Sequence, residues 1–341
     1  MIYSFLMTFL IYLSSIVLGS LGAWFISRHA HLLGLIDCPS ERSSHDRPTP
    51  KGGGVGILAA FILACLLNQI PTLVWLPITL LSLLSLYGDR INLKPGLRLS
   101  VQFGSVFLVL SAIDMSFINL ANGNHPFLRL LLTHIFCAVF VVGTANFYNF
   151  MDGINGIAGI TGIVGFGLVG VFGLLTEQSP QWVTLAFVMA FSCCGFLPFN
   201  ILIARVFMGD VGSILLGFVF ACMVVEFTRT FSDFVILVSF MFPFYIDELI
   251  TMVERILDRQ RLSLPHRRHF YQVLVNQGEI AHWKVSLGYG IVQLILGLLI
   301  WLWVQTNLVL GILGIILLII IFNIIDRKVK RHFGFFIEKN L

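Results

Sequence analysis

The chain has 341 residues, of which 57% are hydrophobic and 11% are charged, and its mean hydropathy is +0.94. Because soluble domains carry about 25% charged residues, this composition excludes a soluble globular protein and indicates an integral membrane protein. The formal net charge of +4 is an excess that the inner loops of membrane proteins normally carry, so it implies no nucleic-acid partner.

Taken in chain order, the apolar runs predict an all-α, polytopic membrane protein with about eleven transmembrane helices. A helix of roughly 20 apolar residues crosses about 30 Å of hydrocarbon and satisfies its backbone hydrogen bonds internally. The first run has no basic amino-terminal region and no Ala-x-Ala site, so we interpret it as a span and not as a signal peptide. We expect one domain over residues 1–341, with spans at 2–26, 52–70, 72–87, 99–113, 128–147, 154–175, 182–203, 211–228, 234–254, 284–304 and 308–325.

The basic residues predict the orientation of the chain in the membrane. If the amino terminus is outside, all but Arg129 and Arg229 of the 21 Lys and Arg residues fall in inner segments, and cytoplasmic loops are enriched in such residues. We therefore expect the amino terminus outside and the carboxyl terminus in the cytoplasm. Lys328 and Lys330 are interpreted as charges that set this topology.

Polar residues collect in five connections, and all five are on the predicted inner side. They are "RSSHDRPTPKGGG" (42–54), "YGDRINLKPGLR" (87–98), "NFYNFMDGING" (146–156), "FNILIARVFMGDVGS" (199–213) and "LPHRRHFYQVLVNQG" (264–278). The predicted outer connections, near 114–127, 176–181, 229–233 and 305–307, are short and carry no comparable cluster. We therefore expect a cytoplasmic site built from loops near 27–51, 88–98, 146–153, 203–210 and 255–283.

The residue types in these connections favour phosphoryl transfer to or from a lipid. Asp89, Asp152 and Asp210 each stand where an apolar helix meets an inner loop, and carboxylates together with substrate phosphates are the usual ligands of Mg²⁺. Basic and imidazole side chains in the same connections can pair with anionic phosphate. They are Arg47, Lys51, His266, Arg267, Arg268 and His269.

Each of these features also has a plainer explanation. A carboxylate at the end of a helix can face water or stabilise a helix amino terminus. The run "KGGGVG" can serve close helix packing, and it lacks the order of a nucleotide-binding P-loop. The cluster "PHRRH" can be no more than inner-side positive charge with two solvated histidines.

Taken together, the motifs resemble those of the polyprenyl-phosphate N-acetylhexosamine-1-phosphate transferases, glycosyltransferase family 4. The resemblance rests on "RPTPKGGG", "GDRINLKPGLRLSVQ", "NFYNFMDGINGIAG", "FMGDVGS" and a His-containing loop, in that order along nearly the whole chain. The pattern H-R-x-H-x-Y-Q at His266–Gln272 is most similar to the branch that starts O-antigen synthesis.

The resemblance implies a function, a cofactor and a location. Members transfer an N-acetylhexosamine-1-phosphate, or a 6-deoxy-N-acetyl sugar phosphate, from a UDP-sugar to undecaprenyl phosphate and release UMP. This step starts lipopolysaccharide O-antigen or a related cell-surface polysaccharide. We expect Mg²⁺ or Mn²⁺ as cofactor, a UDP-N-acetyl sugar and undecaprenyl phosphate as partners, and a bacterial inner-membrane protein whose active site faces the cytoplasm. A homodimer is among the assembly states that the sequence leaves open.

The resemblance also implies roles for single residues. Asp210 matches a metal ligand, and Asp152 matches a position that is metal-adjacent or catalytic, with Asp89 and His269 as the other expected catalytic residues. Asp247 matches a buried acid before the His loop. The expected substrate-binding residues are Arg47, Lys51, Arg98 (paired with Gln102), Asn146, Asn149, Asn155, Asn200, Phe207, His266, Arg267 and Arg268, with Asn200 and Phe207 at positions that contact uridine.

Three departures from the family pattern bear on catalysis. Gly88 precedes Asp89 where the family has two aspartates, so one proposed general base is missing. Asn155 replaces the second acid of the D-G-x-D-G loop, which removes a charge and keeps an oxygen. Tyr271 and Gln272 replace later histidines, which marks a subtype or weakened catalysis.

A transporter or flippase of lipid-linked saccharides is the main alternative, and an inactive binding paralogue is a second. A transporter should show ionisable groups near the bilayer midplane, broken spans or repeat symmetry. Here the polar groups collect at one end of the predicted spans. Only Glu226, Asp247 and Glu248 lie within apolar runs, so the sequence favours the transferase.

Overall fold

The computed structural model describes residues 2–39, 46–91, 93–113, 115, 126–261 and 266–334. Arg42 and Lys339, two of the predicted inner basic residues, and most of the predicted outer connection 114–127 lie outside this part of the chain. The described helices are α1 (Ile2–Leu33), α2 (Val55–Leu67), α3 (Thr72–Ile91), α4 (Pro95–Leu110), α5 (Pro126–Met151), α6 (Ile157–Leu175), α7 (Pro180–Phe196), α8 (Asp210–Phe227), α9 (Phe231–Ser239), α10 (Phe242–Leu257), α11 (Phe270–Asn276), α12 (His282–Thr306) and α13 (Leu308–His332).

The predicted all-α, polytopic architecture is confirmed. Within the described residues, eight helices are long and apolar enough to cross a membrane, and a ninth span results if α9 and α10 are counted as one. The predicted spans 52–70 and 99–113 correspond to α2 and α4, which have 13 and 16 residues. Both fall short of the roughly 20 residues that a full crossing needs, so helix length supports fewer spans than the eleven predicted.

The predicted span at 234–254 is formed by two helices and not by one continuous helix. The helices α9 and α10 meet at an angle of 82°. Pro243 is in the first turn of α10, where a missing N–H costs nothing, whereas in a continuous helix its ring would clash with the preceding turn. The apolar composition runs through the break, and for that reason hydropathy did not reveal it.

The helix α8 forms the centre of the protein. In its most apolar 18-residue window, 94% of the residues are buried. In the corresponding window of α13 only 11% are buried, and α13 exposes long aliphatic side chains. The helices α2, α3 and α5 pack around α8. Asp210 is the first residue of α8, so the packing of the core fixes the position of this carboxylate.

The glycine run after residue 51 lets two backbone segments touch. Strands β1 (Ile36–Asp37) and β2 (Thr49–Pro50) pair antiparallel, and β2 leads into the run. The amide of Gly53 donates to Phe207 O at 2.9 Å, and the amide of Gly54 donates to Met208 O at 2.9 Å. A Cβ atom on Gly54 would lie 2.4 Å from the Cα atom of Gly212 in α8. The structure therefore supports the packing role of "KGGGVG".

Lys330 is part of a buried ion-pair cluster, so it has a structural role in addition to the predicted one as a topology charge. Its side chain is fully buried, and its Nζ lies 2.8 Å from Glu254 Oε2 and 2.8 Å from Asp326 Oδ2. Asp326 precedes Lys330 by one helical turn, whereas Glu254 belongs to α10. The cluster therefore ties the end of α13 to α10. Lys328, on the same helix, is exposed, in keeping with the original interpretation.

Candidate active site

A pocket of about 350 Å³ opens at one end of the helices. It contains residues from all five predicted inner segments, so the structure brings these segments together as the sequence predicts. The lining residues are Asp37, Lys51, Asp89, Asn149, Asp152, Gly153, Ile154, Asn155, Asn200, Phe207, Gly209, Asp210, Gln272 and His282.

Asp89 reaches from the end of α3 to the start of α8. Its Oδ2 accepts a hydrogen bond from the backbone N of Asp210 at 3.0 Å. Gly209, with φ of 73°, precedes this amide, and a Cβ there would lie 2.9 Å from the same oxygen. A carboxylate is favourable at this position because the first amides of a helix lack intrahelical acceptors. Asp89 therefore holds the amino terminus of α8 in place.

Basic and amide side chains surround the two carboxylates. Lys51 Nζ lies 3.7 Å from Asp89 Oδ1, and Arg98 forms an ion pair with Asp210 Oδ2. Asn149 Nδ2 donates to Asp210 Oδ1 at 2.8 Å. The predicted substrate-binding residue Arg98 therefore contacts Asp210 directly, even though it is not itself among the pocket-lining residues.

Asn146 lies one helical turn before Asn149 but has a different environment. Its Nδ2 donates to Gln102 Oε1 at 2.8 Å and to Val142 O at 2.7 Å. It is not among the lining residues. The predicted pair of Arg98 and Gln102 on α4 thus contacts Asp210 through one member and α5 through the other.

Asp152 completes an acidic wall. Burial, followed by the negative charges of Asp210 and Asp89, raises the pKa of the Asp152 carboxyl to about 7, because each effect disfavours a further negative charge. A bound cation would offset this repulsion. No group of three or more His, Cys, Asp or Glu side chains in the described residues forms a metal cage by itself. Carboxylate and amide oxygens completed by water and phosphate are nevertheless the donor set that Mg²⁺ accepts, so these residues fit that ion.

The neutral wall of the pocket consists of Asn155, Asn200 and Phe207. Asn200 is 6% exposed, and its side-chain amide forms two hydrogen bonds with the backbone. Its Oδ1 accepts from Gly156 N at 2.6 Å, and its Nδ2 donates to Val206 O at 2.9 Å. Phe207 and Asn155 continue this wall. The structure thus groups the two predicted uridine-contact residues, and it gives Asn200 a structural role as well.

The predicted His loop lies mostly outside the pocket. His269 is 2% exposed and sits between two buried acids, with Nδ1 at 3.6 Å from Asp247 Oδ1 and Nε2 at 3.4 Å from Glu248 Oε2. The predicted burial of Asp247 is confirmed at 1% exposure. Arg268 bonds Asp258 Oδ2 at 2.6 Å. The expected catalytic role of His269 stays a prediction, and the geometry gives it no direct place in the pocket wall.

His266, Arg267 and Arg47 are also absent from the lining residues. Burial, followed by the nearby His269, Arg255 and Arg268, lowers the pKa of His266 to about 3, so this ring is neutral at pH 7 and does not present a cation to phosphate. Arg47 is exposed.

Residues that the sequence did not assign to the site come from α11, α12 and β1. Tyr271 Oη donates to Phe150 O at 3.3 Å, which packs α11 against the loop of Asp152, and Gln272 on the next position lines the pocket. Asp37 and His282 line it too. Both residues fall within the predicted site loops, 27–51 and 255–283, but no motif distinguishes them from their neighbours there.

Comparison with known proteins adds a family match and several relatives. The family model described as "Glycosyl transferase family 4" matches residues 71–228, a range that contains Asp89, Asp152 and Asp210. The chain is 24% identical over 263 residues to the "Probable undecaprenyl-phosphate N-acetylglucosaminyl 1-phosphate transferase" of Bacillus subtilis (strain 168), which covers 74% of this chain and 73% of the relative.

Two further relatives come from other bacteria. The "Undecaprenyl-phosphate alpha-N-acetylglucosaminyl 1-phosphate transferase" of Thermotoga maritima is 28% identical over 253 residues, 74% of this chain and 76% of its own length. The "Phospho-N-acetylmuramoyl-pentapeptide-transferase" of Staphylococcus epidermidis is 30% identical over 176 residues, 51% of this chain and 52% of its own length.

Proposed function

Since the chain belongs to glycosyl transferase family 4, we propose that it transfers an N-acetylhexosamine-1-phosphate, or a 6-deoxy-N-acetyl sugar phosphate, from a UDP-sugar to undecaprenyl phosphate. The observation that supports this most is the pocket in which Asp89, Asp152 and Asp210 meet Lys51. The names of the relatives describe the same kind of transfer onto a polyprenyl phosphate.

The reaction requires that the two phosphate-bearing substrates be positioned and that their negative charge be compensated. An oxygen of the lipid phosphate attacks the β-phosphorus of the UDP-sugar, the bond from that phosphorus to the bridging oxygen breaks, and UMP leaves with the electron pair. The attacking phosphate is mostly dianionic near pH 7, since a second phosphate pKa is roughly 6. It therefore needs orientation more than deprotonation, and Lys51 can supply an electrostatic contact to anionic oxygens.

The acidic wall is the proposed cofactor site. Asp210 and Asp152 would hold Mg²⁺ or Mn²⁺, which supplies positive charge to the diphosphate when bound. Asn149 fixes one oxygen of Asp210 at 2.8 Å and Ser213 Oγ at 2.8 Å, so it orients the carboxylate for this task. The neutral wall of Asn155, Asn200 and Phe207 would take the uridine.

The location and pathway are also proposed. The positive-inside pattern supports a multi-pass protein of the bacterial inner membrane with the pocket facing the cytoplasm, where UDP-sugars are made. The pattern at His266–Gln272 supports a role in starting O-antigen or a related surface polysaccharide.

One assay tests the proposal directly. Purified protein is incubated with undecaprenyl phosphate, Mg²⁺ and a panel of UDP-N-acetyl sugars, and both UMP and the sugar-diphospho-lipid are followed. We expect equal amounts of both products with at least one sugar, a strong loss in Asp210→Asn and no loss in Asp46→Asn, whose side chain is exposed outside the pocket. If folded wild-type protein releases no UMP with any sugar, the proposal fails.

A further inference from the structure

Two side chains at the beginning of α12 form hydrogen bonds with the backbone of one pocket-lining residue, Asn155. The backbone N of Asn155 donates to His282 Nδ1 at 3.2 Å, and Ser286 Oγ donates to Asn155 O at 2.7 Å. His282 and Ser286 are four residues apart, so they lie on the same face of the helix. Ser286 is fully buried. Both peptide groups that flank the Asn155 Cα atom are therefore fixed by one element.

The next residue is held from the other side. Gly156 has φ of 88°, a left-handed conformation that favours glycine, and its N donates to Asn200 Oδ1 at 2.6 Å. A Cβ atom on Gly156 would lie 3.0 Å from Ile201 Cγ1 and 3.4 Å from Ser286 Cβ. The turn of Asn155 and Gly156 is thus clamped between α12 and the segment around Asn200.

The hydrogen bond also defines the state of the His282 ring. Because Nδ1 accepts the amide hydrogen of Asn155, it carries no proton, and the neutral ring then has its proton on Nε2. His282 and Asn155 both line the pocket, so the clamp is part of the wall that a ligand meets.

The chemistry of this wall selects one of the two substrates. Amide groups from Asn155 and Asn200 and the ring of Phe207 can hydrogen-bond and stack with a nucleobase. A lipid phosphate would need cationic partners, and the cation that lines the pocket among the described residues, Lys51, pairs with Asp89 in the acidic wall.

We propose that His282 and Ser286 are positioning residues for the nucleotide: by fixing Asn155 they set the affinity for the uridine nucleotide and leave the affinity for the lipid phosphate unchanged. This inference rests on the proposed function for the identity of the donor. It assigns a role to α12, which the motifs of the sequence did not implicate.

The test separates nucleotide binding from turnover. The dissociation constant of UMP is measured by calorimetry for wild type, His282→Ala and Ser286→Ala, and KM is measured separately for the UDP-sugar and for undecaprenyl phosphate. Loss of one hydrogen bond costs about 0.5–1.5 kcal/mol, so we expect the UMP dissociation constant and the UDP-sugar KM to rise about twofold to tenfold. The KM for the lipid should change by less than twofold.

Rescue and control variants make the test specific. In His282→Asn an amide oxygen can take the place of Nδ1 as acceptor, so this variant should keep the affinity that His282→Ala loses. His134→Ala is the matched control: His134 is on α5, about 22 Å along the helix from Asn149, and its Nδ1 contacts Leu130 O at 2.8 Å. Its UMP affinity should equal that of the wild type.

Hydrogen exchange gives a readout that does not depend on activity. The amides of residues 155 and 156 should exchange faster in His282→Ala and Ser286→Ala, and at the wild-type rate in His134→Ala. Unchanged exchange, or faster exchange with unchanged UMP affinity, would overturn the inference. If His282→Ala does not fold, Ser286→Ala decides by the same criteria. A wild type that binds UMP but turns over no UDP-sugar would refute the proposed function and leave this inference standing.

Discussion

The substitution of Gly88, paired with that of Asp89, tests whether this chain needs the carboxylate that the family pattern has and this sequence lacks. Both residues are near the end of α3. Neighbouring positions on a helix differ by about 100° in direction, so an aspartate at 88 would not take over the bond that Asp89 makes to the amide of Asp210. It would add a carboxyl group beside an acidic wall that already has three.

The structure gives the size of the expected effects. A Cβ atom on Gly88 would lie 3.2 Å from Leu93 Cδ1, the end of a flexible side chain that has to move by a few tenths of an ångström. Because the lipid phosphate is already mostly ionised, a further base is not required. We therefore expect Gly88→Asp to change kcat by less than about tenfold, which is under about 1.4 kcal/mol of barrier.

Asp89 should be far more sensitive. Asp89→Asn keeps an oxygen that can accept the Asp210 amide hydrogen at 3.0 Å, but it removes the charge opposite Lys51. Hydrogen bonds to charged groups contribute about 1.5–3 kcal/mol, which corresponds to a loss of about tenfold to 150-fold. Asp89→Ala also leaves the first amide of α8 without this acceptor, at a further cost of about 1–3 kcal/mol, so it should be the slowest variant.

The assay is single-turnover release of UMP at pH 7.5 with saturating lipid, with Asp46→Asn as an exposed control. If Gly88→Asp raised the rate a thousandfold from near zero, the missing carboxylate would be essential and the chain would be a degenerate member. Equal rates for Asp89→Asn, Asp89→Ala and wild type would show that Asp89 neither holds α8 nor takes part in the reaction.

Four other predictions follow from single features of the structure. Asp210→Asn should lose about 10²-fold or more in rate, and activity should vanish in EDTA; full activity in EDTA would contradict the metal proposal. Replacement of His269 by Ala should impair turnover far more than Lys328→Ala, and equal small effects would restore the explanation of the His loop as inner-side charge. Lys330→Ala leaves buried carboxylates without their cation, a change that costs about 3–5 kcal/mol, so its thermal unfolding temperature should fall while that of Lys328→Ala stays near wild type. Exposed Cys38 should react with an impermeant thiol reagent only from the cytoplasmic side. Labelling of Cys38 in intact cells would show that the orientation is the reverse of the predicted one.

The convergence of the three aspartates was predictable because each stands at a junction between an apolar helix and a polar loop on the same predicted side. An apolar run gives the approximate position of a helix, and alternation of direction then assigns each junction to a side of the membrane. Asp89, Asp152 and Asp210 share one pocket for that reason. Their distances and partners depend on α8 and on the glycine contacts around Gly54, which no periodicity encodes.

The placement of the His loop was not predictable from the same signals. A polar loop of histidines and arginines suggests phosphate contacts, but two acids inside an apolar run, Asp247 and Glu248, enclose His269 instead. The residue that reaches the pocket, Gln272, is three positions later on α11, a helix of seven residues. Such a short helix has no apolar run of its own, and its direction is set by tertiary contacts.

The ion pair between Lys330 and Glu254, which joins helices far apart in the chain, could not be predicted from the sequence either. Lys330 and Asp326 are spaced by one helical turn, which the sequence shows. The third partner, Glu254, is 76 residues away, and only the packing of α10 against α13 brings it close. Charges near the end of a span therefore look alike in sequence whether they face water or are buried.

The break between α9 and α10 is a feature expected of transporters, yet its polar groups act differently here. In transporters, broken helices expose backbone and charged groups to a substrate at the midplane. Asp247, in the second turn after this break, accepts hydrogen bonds from Phe270 N at 2.9 Å and from Tyr289 Oη at 2.7 Å. The carboxylate is thus used to join α10 to α11 and α12, and α11 in turn carries Gln272 into the pocket. Because a buried carboxylate with these bonds resists movement of any of the three helices, the break favours a fixed site at one end of the protein over alternating access, in agreement with the similarity of the chain to transferases.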